Sequence, residues 1–149
     1  MISPSKERIV EVLDKYELGP LKRLGQNFLV DARVASRMVE LIDPGEIVVE
    51  VGPGLGSLTL PAADTAGKVI AVEKDLKLAR ALEIEFLDKI DNVVLIKGDV
   101  LKVKDFIPSG EYSVLANLPF YATSPIIRMF LESDNPPAKM VSMMQREVA

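Results

Sequence analysis

Residues 47–60 read Ile-Val-Val-Glu-Val-Gly-Pro-Gly-Leu-Gly-Ser-Leu-Thr-Leu, and the rest of the chain is organised around them. A run of β-branched residues followed at once by Gly52, Gly54 and Gly56 predicts a strand, a tight turn and a helix start. The glycines let the backbone approach a ligand without a Cβ in the way, and N–H groups at a helix start favour polar or anionic groups. The stretch predicts a turn that holds a nucleotide-like ligand, although doubly wound folds also use such turns for structure alone.

The composition limits the chemistry that the chain can perform. With 149 residues, 48% of them hydrophobic, the chain fits one domain with a real core. It contains no cysteine and no histidine, which removes disulfides, thiolate and imidazole metal ligands, and any Ser-His or Cys-His nucleophile pair. We therefore expect no metal site, and chemistry that depends on carboxylates, amides, backbone groups or a cofactor.

Charge and hydropathy set the expected location and partners. The net charge of −4 argues mildly against a surface that binds nucleic acid everywhere, but it leaves room for a local basic patch. No apolar run approaches the roughly 18 residues of a membrane span, and the N-terminus lacks the apolar core of a signal peptide. A cytoplasmic location is the expectation.

Strand and helix patterns alternate along the chain. Ser3 and Pro4 can begin a helix that ends before Gly19, and Asp31 can cap a second helix with Val34, Met38 and Leu41 on one face. Further strands are predicted at 69–72, 93–96, 112–116 and 140–144, with helices after Asp75 and from Thr123 or Ser124, the latter carrying Ile127, Phe130 and Leu131. This alternation predicts an α/β fold with a parallel sheet and helices on both faces.

Distinctive residues end four successive predicted strands: Gly52, Glu73, Asp99 and Asn117. In open α/β sheets the ligand lies outside the carboxyl ends of the strands, so these residues should meet at one edge. Glu73 lies about 20 residues beyond the glycine turn, where an acidic side chain accepts both hydroxyls of a ribose. The edge is therefore predicted to bind a nucleoside.

The glycine spacing bears on which cofactor is bound. A dinucleotide fingerprint requires Gly-x-Gly-x-x-Gly/Ala, whereas here the third glycine is Gly56 and Ser57 follows it. The pattern Glu-x-Gly-x-Gly-x-Gly that begins at Glu50 instead resembles the cofactor loop of class I S-adenosylmethionine-dependent methyltransferases. In that class Asp99 would accept a hydrogen bond from the adenine amino group, and dinucleotide binding stays as the alternative.

The turn Asn117-Leu118-Pro119-Phe120 indicates which chemical group would accept the methyl group. An amine conjugated to an aromatic ring is a poor nucleophile, so a site must hold both N–H hydrogens and direct the lone pair towards the methyl donor. The Asn117 side-chain oxygen and the Leu118 carbonyl suit this task, Pro119 fixes the turn, and Phe120 offers a stacking face. An ordinary Asn-x-Pro turn at a strand end is the structural alternative.

Four segments together resemble the small-subunit ribosomal RNA adenine N6-dimethyltransferases. They are Gln-Asn-Phe-Leu at 26–29, Val-Glu-Val-Gly-Pro-Gly-Leu-Gly-Ser-Leu-Thr at 49–59, Gly-Asp-Val-Leu at 98–101 and Asn-Leu-Pro-Phe at 117–120. The resemblance implies a Rossmann-like, doubly wound, mostly parallel sheet, S-adenosylmethionine as cofactor and a monomer. It also implies methylation, twice in succession, of adenosine N6 in small-subunit ribosomal RNA, with the target base unstacked.

The resemblance also implies roles for individual residues. Asn27 and Leu29 would help enclose the cofactor, Gly52 in the turn shaped by Gly54 would approach its methionine part, Glu73 would hold the ribose, Asp99 the adenine, and Asn117 would close the cofactor site and orient the target amine. Family members usually carry Tyr where Phe120 stands, which keeps stacking but loses a hydroxyl. Tyr121 could supply one.

The chain also differs from members of this family on its C-terminal side. Members of this family continue past the strand that ends here in Gln-Arg-Glu-Val-Ala with more strands and a small helical domain that contributes to RNA binding. We therefore expect residues 1–149 to be a methyltransferase domain whose sheet is truncated after the fifth strand, and whose activity could depend on the missing part; completion by another chain is the alternative. Lys6, Arg8, Lys22 and Arg23 would give a partial RNA surface, or simply solvated charge.

Other functions compete with this interpretation. A large-subunit ribosomal RNA adenine methylase shares the loop and a similar Asn-aromatic motif. Protein-glutamine and DNA amino methylases usually carry Asn-Pro-Pro-Tyr or Asp-Pro-Pro-Tyr, whereas Leu118 favours the RNA group. A non-catalytic RNA-binding or ribosome assembly factor could also retain the fold.

Overall fold

The structure is a computed structural model that describes residues 3–19, 31–118 and 122–143. Within these ranges the helices are α1 (Lys6–Lys15), α2 (Ala32–Val39), α3 (Thr59–Thr65), α4 (Leu76–Phe86) and α5 (Thr123–Leu131). The strands are β1 (Ile47–Val51), β2 (Lys68–Glu73), β3 (Val93–Lys97), β4 (Tyr112–Asn117) and β5 (Lys139–Met143). None of the helices in these ranges is long and apolar enough to cross a membrane.

The five strands form one sheet in the order β3-β2-β1-β4-β5, and every neighbouring pair is parallel. The middle strand β1 pairs through Val51 with Val72 of β2 on one side and with Ala116 of β4 on the other. The predicted parallel α/β sheet is therefore confirmed, with each strand within a residue or so of its predicted bounds.

Alternate residues of the strands face two separate hydrophobic cores. One face buries Val48, Val69 and Leu115 against α2 and α3. The opposite face buries Val49, Val72, Val114 and Ala116 against Phe106 and the α5 residues Ile126 and Phe130. Because the side-chain period of a strand is two, a buried sheet of this kind needs apolar residues at nearly every position, as β1 and β4 have.

Two of the three predicted helix caps are confirmed. Asp31 and Asp75 accept backbone N–H groups at the starts of α2 and α4, as predicted. The cap of α1 is Ser5 rather than Ser3. Helix α5 begins at Thr123, one of the two predicted start residues, and no side chain caps it.

Two leucines that the helical patterns include among their apolar residues are exposed. Leu41 lies beyond the end of α2, where the helical period no longer applies, and the neighbouring Ile42 is buried instead. Leu131 is the last residue of α5 and lies about 100° around the helix from the buried Phe130, so its side chain faces solvent. Both predictions extended a helical period past the point where packing supports it.

Candidate functional site

The strand order creates a crevice between the carboxyl ends of β1 and β4. The chain leaves β1 through α3, which packs on one face of the sheet, and leaves β4 towards α5, which packs on the other face. Ligands bind at such a topological switch point because the connections diverge there. Gly52 directly follows β1 and Asn117 ends β4, so two of the predicted site residues border this crevice.

Gly52, Gly54 and Gly56 all adopt positive φ angles, of 69°, 56° and 91°. This conformation is costly for any residue with a Cβ, which explains why the turn consists of alternating glycines. A Cβ on Gly52 would lie 3.9 Å from the carbonyl oxygen of Asn117, in ordinary van der Waals contact, which shows how near the ends of β1 and β4 lie to each other.

The N–H groups of these three glycines are already bonded within the protein. Gly52 donates to the carbonyl of Val72 (3.0 Å), Gly54 donates to Glu73 Oε2 (2.9 Å), and Gly56 donates to the carbonyl of Pro53 (2.9 Å). A pyrophosphate is gripped by unpaired N–H groups at such a turn. Because these donors are occupied, the turn has no glycine N–H group left to bind a phosphate. It is better suited to a ligand without phosphate groups that lies close to the backbone.

Glu73 is the last residue of β2, and its side chain stabilises the glycine turn through a hydrogen bond. Its side chain is only 2% exposed, Oε2 accepts the N–H of Gly54 and Oε1 accepts the N–H of Asp75 (3.0 Å). Burial raises the pKa of this carboxyl, and the two N–H donors partly oppose that shift. Each carboxylate oxygen has a second lone pair, so the group can brace the turn and still accept hydroxyl groups.

Glu50 is a second buried carboxyl, on the same sheet face as Glu73. It is 1% exposed and accepts a 2.6 Å hydrogen bond from the Thr59 hydroxyl at the start of α3. Burial raises the pKa of Glu50 to about 8; Thr59 opposes this shift and the charge of Glu73 adds to it. The carboxyl therefore ties β1 to α3 in its neutral form. The sequence pattern included Glu50 without revealing Thr59 as its partner.

Asp99 lies just after β3 and also reaches this edge. The N–H of Gly98 donates to the carbonyl of Glu73 (2.9 Å), which holds the ends of β2 and β3 together. Asp99 Oδ1 accepts the N–H of Leu101 (2.9 Å), whereas Oδ2 lies 3.6 Å from Nζ of Lys74. Lys74 was not singled out in the sequence, because an exposed lysine in a loop has no distinguishing pattern.

Of the turn at residues 117–120, which is predicted to bind the methyl-accepting amine, the structure describes Asn117 and Leu118. Asn117 ends β4 at half-buried depth, and the buried Leu118 donates its N–H to the carbonyl of Met143 on β5 (3.2 Å). The remaining predicted site residues lie outside the described residues: Asn27, Leu29, Pro119 and Phe120. The structure thus brings together Gly52, Gly54, Glu73, Asp99 and Asn117 at one sheet edge, as predicted from the strand ends.

The N-terminal helix α1 packs against the glycine turn. Ile9 and Val12 of α1 pack in one core with Leu55 of the turn and Leu78 of α4. The Ser3 hydroxyl also donates to the carbonyl of Ser57 (2.6 Å). These contacts link α1 to the conformation of the turn.

A polar cluster holds α1 to α4. Lys15 Nζ (2.6 Å) and the Tyr16 hydroxyl (2.7 Å) contact Glu85 Oε1, and Arg8 Nη2 contacts Oε2 (2.7 Å). These donors, Lys15 most strongly, lower the pKa of Glu85 to about 2. Arg8, proposed from the sequence as an RNA contact, therefore has its charge engaged by Glu85. Lys22 and Arg23 lie outside the described residues.

The edge as a whole is rich in acceptors. Carboxylates of Glu73 and Asp99 and the backbone carbonyl of Asn117 surround the crevice, so a ligand with hydroxyl, amino or cationic groups suits it. Among the described residues no group of three or more acidic side chains could hold a metal ion.

Comparisons with known proteins agree with this geometry. A family model described as "Ribosomal RNA adenine dimethylase" matches residues 21–149. The "Ribosomal RNA small subunit methyltransferase A" of Alkaliphilus oremlandii is 41% identical over 155 residues, covering 99% of this chain and 53% of the relative. The protein of the same name from Pelotomaculum thermopropionicum is 44% identical over 154 residues, covering 93% and 52%. The chain spans about half the length of the curated relatives it matches.

Solved structures have the same architecture. The 23S rRNA methyltransferase ErmE superposes with a TM-score of 0.71 at 31% identity, covering 81% of this chain and 49% of that one. A dimethyladenosine transferase from Plasmodium falciparum gives a TM-score of 0.71 at 25% identity, covering 81% and 44%. The Rossmann-like methyltransferase fold predicted from the sequence is thereby confirmed.

Proposed function

The chain belongs to the ribosomal RNA adenine dimethylase family, and on that premise we propose that it is the cofactor-binding and catalytic part of an enzyme that methylates N6 of adenosine in small-subunit ribosomal RNA. The proposed methyl donor is S-adenosylmethionine, and each target adenosine receives two methyl groups in succession. The relatives named as small-subunit methyltransferases support this choice of RNA.

The residues at the sheet edge fit this cofactor. Gly52 and Gly54 give close backbone access for the methionine part, Glu73 has lone pairs for the ribose hydroxyls, and Asp99 Oδ2 is an acceptor for the adenine amino group. Asn27 and Leu29 would complete the enclosure. When bound, S-adenosylmethionine would supply an electrophilic methyl group on a positively charged sulfur.

One observation carries the cofactor assignment. The N–H groups of all three turn glycines are bonded within the protein, while carboxylates line the edge around them. A dinucleotide brings a dianionic pyrophosphate that needs free N–H donors and would be repelled by this edge. A cofactor with a net positive sulfonium and donor groups suits the same edge.

Catalysis is proposed to rest on alignment rather than on a strong base. The Asn117 side-chain oxygen and the Leu118 carbonyl would accept the two N–H hydrogens of the target amine, turning its lone pair towards the methyl donor. Phe120 would stack on the unstacked base. The amine becomes acidic once methylated, so water can remove the proton, which agrees with a chain that has no histidine.

Substitution of Asn117 tests this assignment. In the longest native form of the protein, Asn117→Ala should abolish N6 methylation of small subunits, measured by mass spectrometry of the digested RNA, while S-adenosylmethionine binding is retained in part. Asn135→Ala is a control that removes an asparagine side chain bonded to the carbonyls of Pro108 and Gly110, away from the sheet edge. Wild-type turnover by Asn117→Ala would refute the assignment.

A large-subunit substrate is the second candidate, favoured by the 31% identity to the 23S rRNA methyltransferase ErmE. Incubating purified small and large subunits separately with the protein and labelled cofactor distinguishes the two. We expect label in the small subunit, and label in the large subunit alone would establish the second candidate.

Absence of cofactor binding would instead favour a non-catalytic assembly factor.

A further inference from the structure

Lys74 and Asp99 form an ion pair at the cofactor edge that the proposed reaction does not use. Lys74 directly follows the proposed ribose residue Glu73, and Asp99 follows β3. The lysine Nζ lies 3.6 Å from Asp99 Oδ2, and the two side chains are 59% and 19% exposed. The lysine thus extends from solvent towards a largely covered carboxylate.

The two oxygens of Asp99 have different environments. Oδ1 accepts the N–H of Leu101 at 2.9 Å, which fixes the orientation of the carboxylate in its turn. Oδ2 faces the lysine ammonium. A ligand amine that hydrogen-bonds to Oδ2 would therefore meet the Lys74 ammonium at the same oxygen.

From this geometry we infer that Lys74 competes with the cofactor's adenine amino group for Asp99 Oδ2, and so lowers the affinity of the protein for its cofactor. The inference rests on the proposed function, since it assumes an adenosyl ligand. A neutral amino group replaces an ammonium at this oxygen, and the freed lysine returns to solvent. The two charged groups lie 3.6 Å apart and the lysine is mostly exposed, so loss of the pair costs little, and the effect should be modest.

Three single variants of the 149-residue chain test whether Lys74 competes for this oxygen. Lys74→Met removes the charge and keeps the apolar stem, whereas Lys74→Arg keeps the charge and pairs more firmly with a carboxylate. Lys77→Met removes the same charge from an exposed position in the first turn of α4. Calorimetric titration with S-adenosylhomocysteine, which lacks the sulfonium charge, avoids direct repulsion between lysine and cofactor.

The expected results have opposite signs. Lys74→Met should bind S-adenosylhomocysteine about 3-fold more tightly than the parent chain, Lys74→Arg more weakly, and Lys77→Met equally. The gain in Lys74→Met should shrink at high salt, because salt screens the exposed ion pair in the parent. Unchanged or weaker binding by Lys74→Met, or an equal gain in Lys77→Met, would overturn the inference while leaving the cofactor site intact. If no variant bound S-adenosylhomocysteine, the inference and the proposed cofactor would both fail.

Discussion

At the scale of single residues, the site depends on two buried carboxyls with different partners. Glu73 is surrounded by backbone N–H donors, whereas Glu50 accepts a hydrogen bond from the Thr59 hydroxyl. A buried carboxyl with few donors is cheaper to keep neutral than to ionise. Glu50 therefore acts as a neutral link between β1 and α3, next to the glycine turn for which a charged cofactor is proposed.

Replacement of Glu50 by Gln should make stability less dependent on pH. The folded pKa of about 8 lies above the unfolded value of 4.5, so unfolding releases a proton between these two values. This contribution to stability is complete below the unfolded pKa and is lost as pH rises towards 8. From about pH 5 to about pH 7.5 the parent should lose roughly 3 kcal/mol through this group, and Glu50→Gln should not.

Urea denaturation of both chains across this pH range measures the difference. Glu83→Gln is a suitable control, because Glu83 is an exposed residue paired with Lys97. If Glu50→Gln and the parent lost stability in parallel with rising pH, Glu50 would not be the neutral group described here.

At the scale of elements, α1 and α4 are joined through Glu85. Because folding lowers the pKa of this carboxyl to about 2 from 4.5, its stabilising effect is present above the unfolded value and is lost as pH falls towards 2. Glu85→Gln should therefore loosen α1 selectively at neutral pH. Hydrogen exchange should be faster for α1 amides and unchanged for α5, which belongs to a different hydrophobic core.

The same substitution should also affect the glycine turn. Since α1 packs against Leu55 of the turn, exchange at Leu55 should rise together with exchange in α1. Glu83→Gln again provides the control, on the same helix α4. Protection of α1 that is identical in Glu85→Gln and the parent would show that apolar packing alone holds the helix.

Much of the element order could be predicted from the sequence, for definite physical reasons. Buried parallel strands need near-continuous β-branched runs, which β1 and β2 have, and Asp31 and Asp75 have the side chains that cap helices. Because parallel strands end at a common edge, the meeting of Glu73 and Asp99 followed from topology. Long-range partners did not follow, since Glu85 meets Arg8 across 77 positions with no local pattern to mark the pair.

At the scale of the whole molecule, the chain combines a net negative charge with a proposed nucleic-acid substrate. RNA affinity depends largely on contacts between cations and phosphates, and this chain has a net charge of −4 with Arg8 engaged by Glu85. We expect the 149-residue chain alone to bind small-subunit RNA weakly and with a shallow dependence on salt. Filter binding across a salt series measures this, and tight, structure-specific binding by the chain alone would contradict it.

Binding of S-adenosylmethionine in the crevice between β1 and β4 underlies every functional step proposed above, and two glycine substitutions test it. Gly52→Ala and Gly45→Ala place a Cβ at similar positive φ angles, 69° and 82°, so the backbone strain is comparable at about 1 kcal/mol. The Cβ at Gly52 would approach the Asn117 carbonyl across the crevice, whereas none of the described atoms lies within 4 Å of a Cβ at Gly45.

Calorimetric titration of S-adenosylmethionine into both variants and the parent chain measures the effect of that Cβ on binding. We predict that Gly45→Ala binds as tightly as the parent and that Gly52→Ala binds at least about 10-fold more weakly, a difference of about 1.4 kcal/mol. Equal affinity in the two variants, or no binding by the parent chain, would show that the crevice is not the cofactor site.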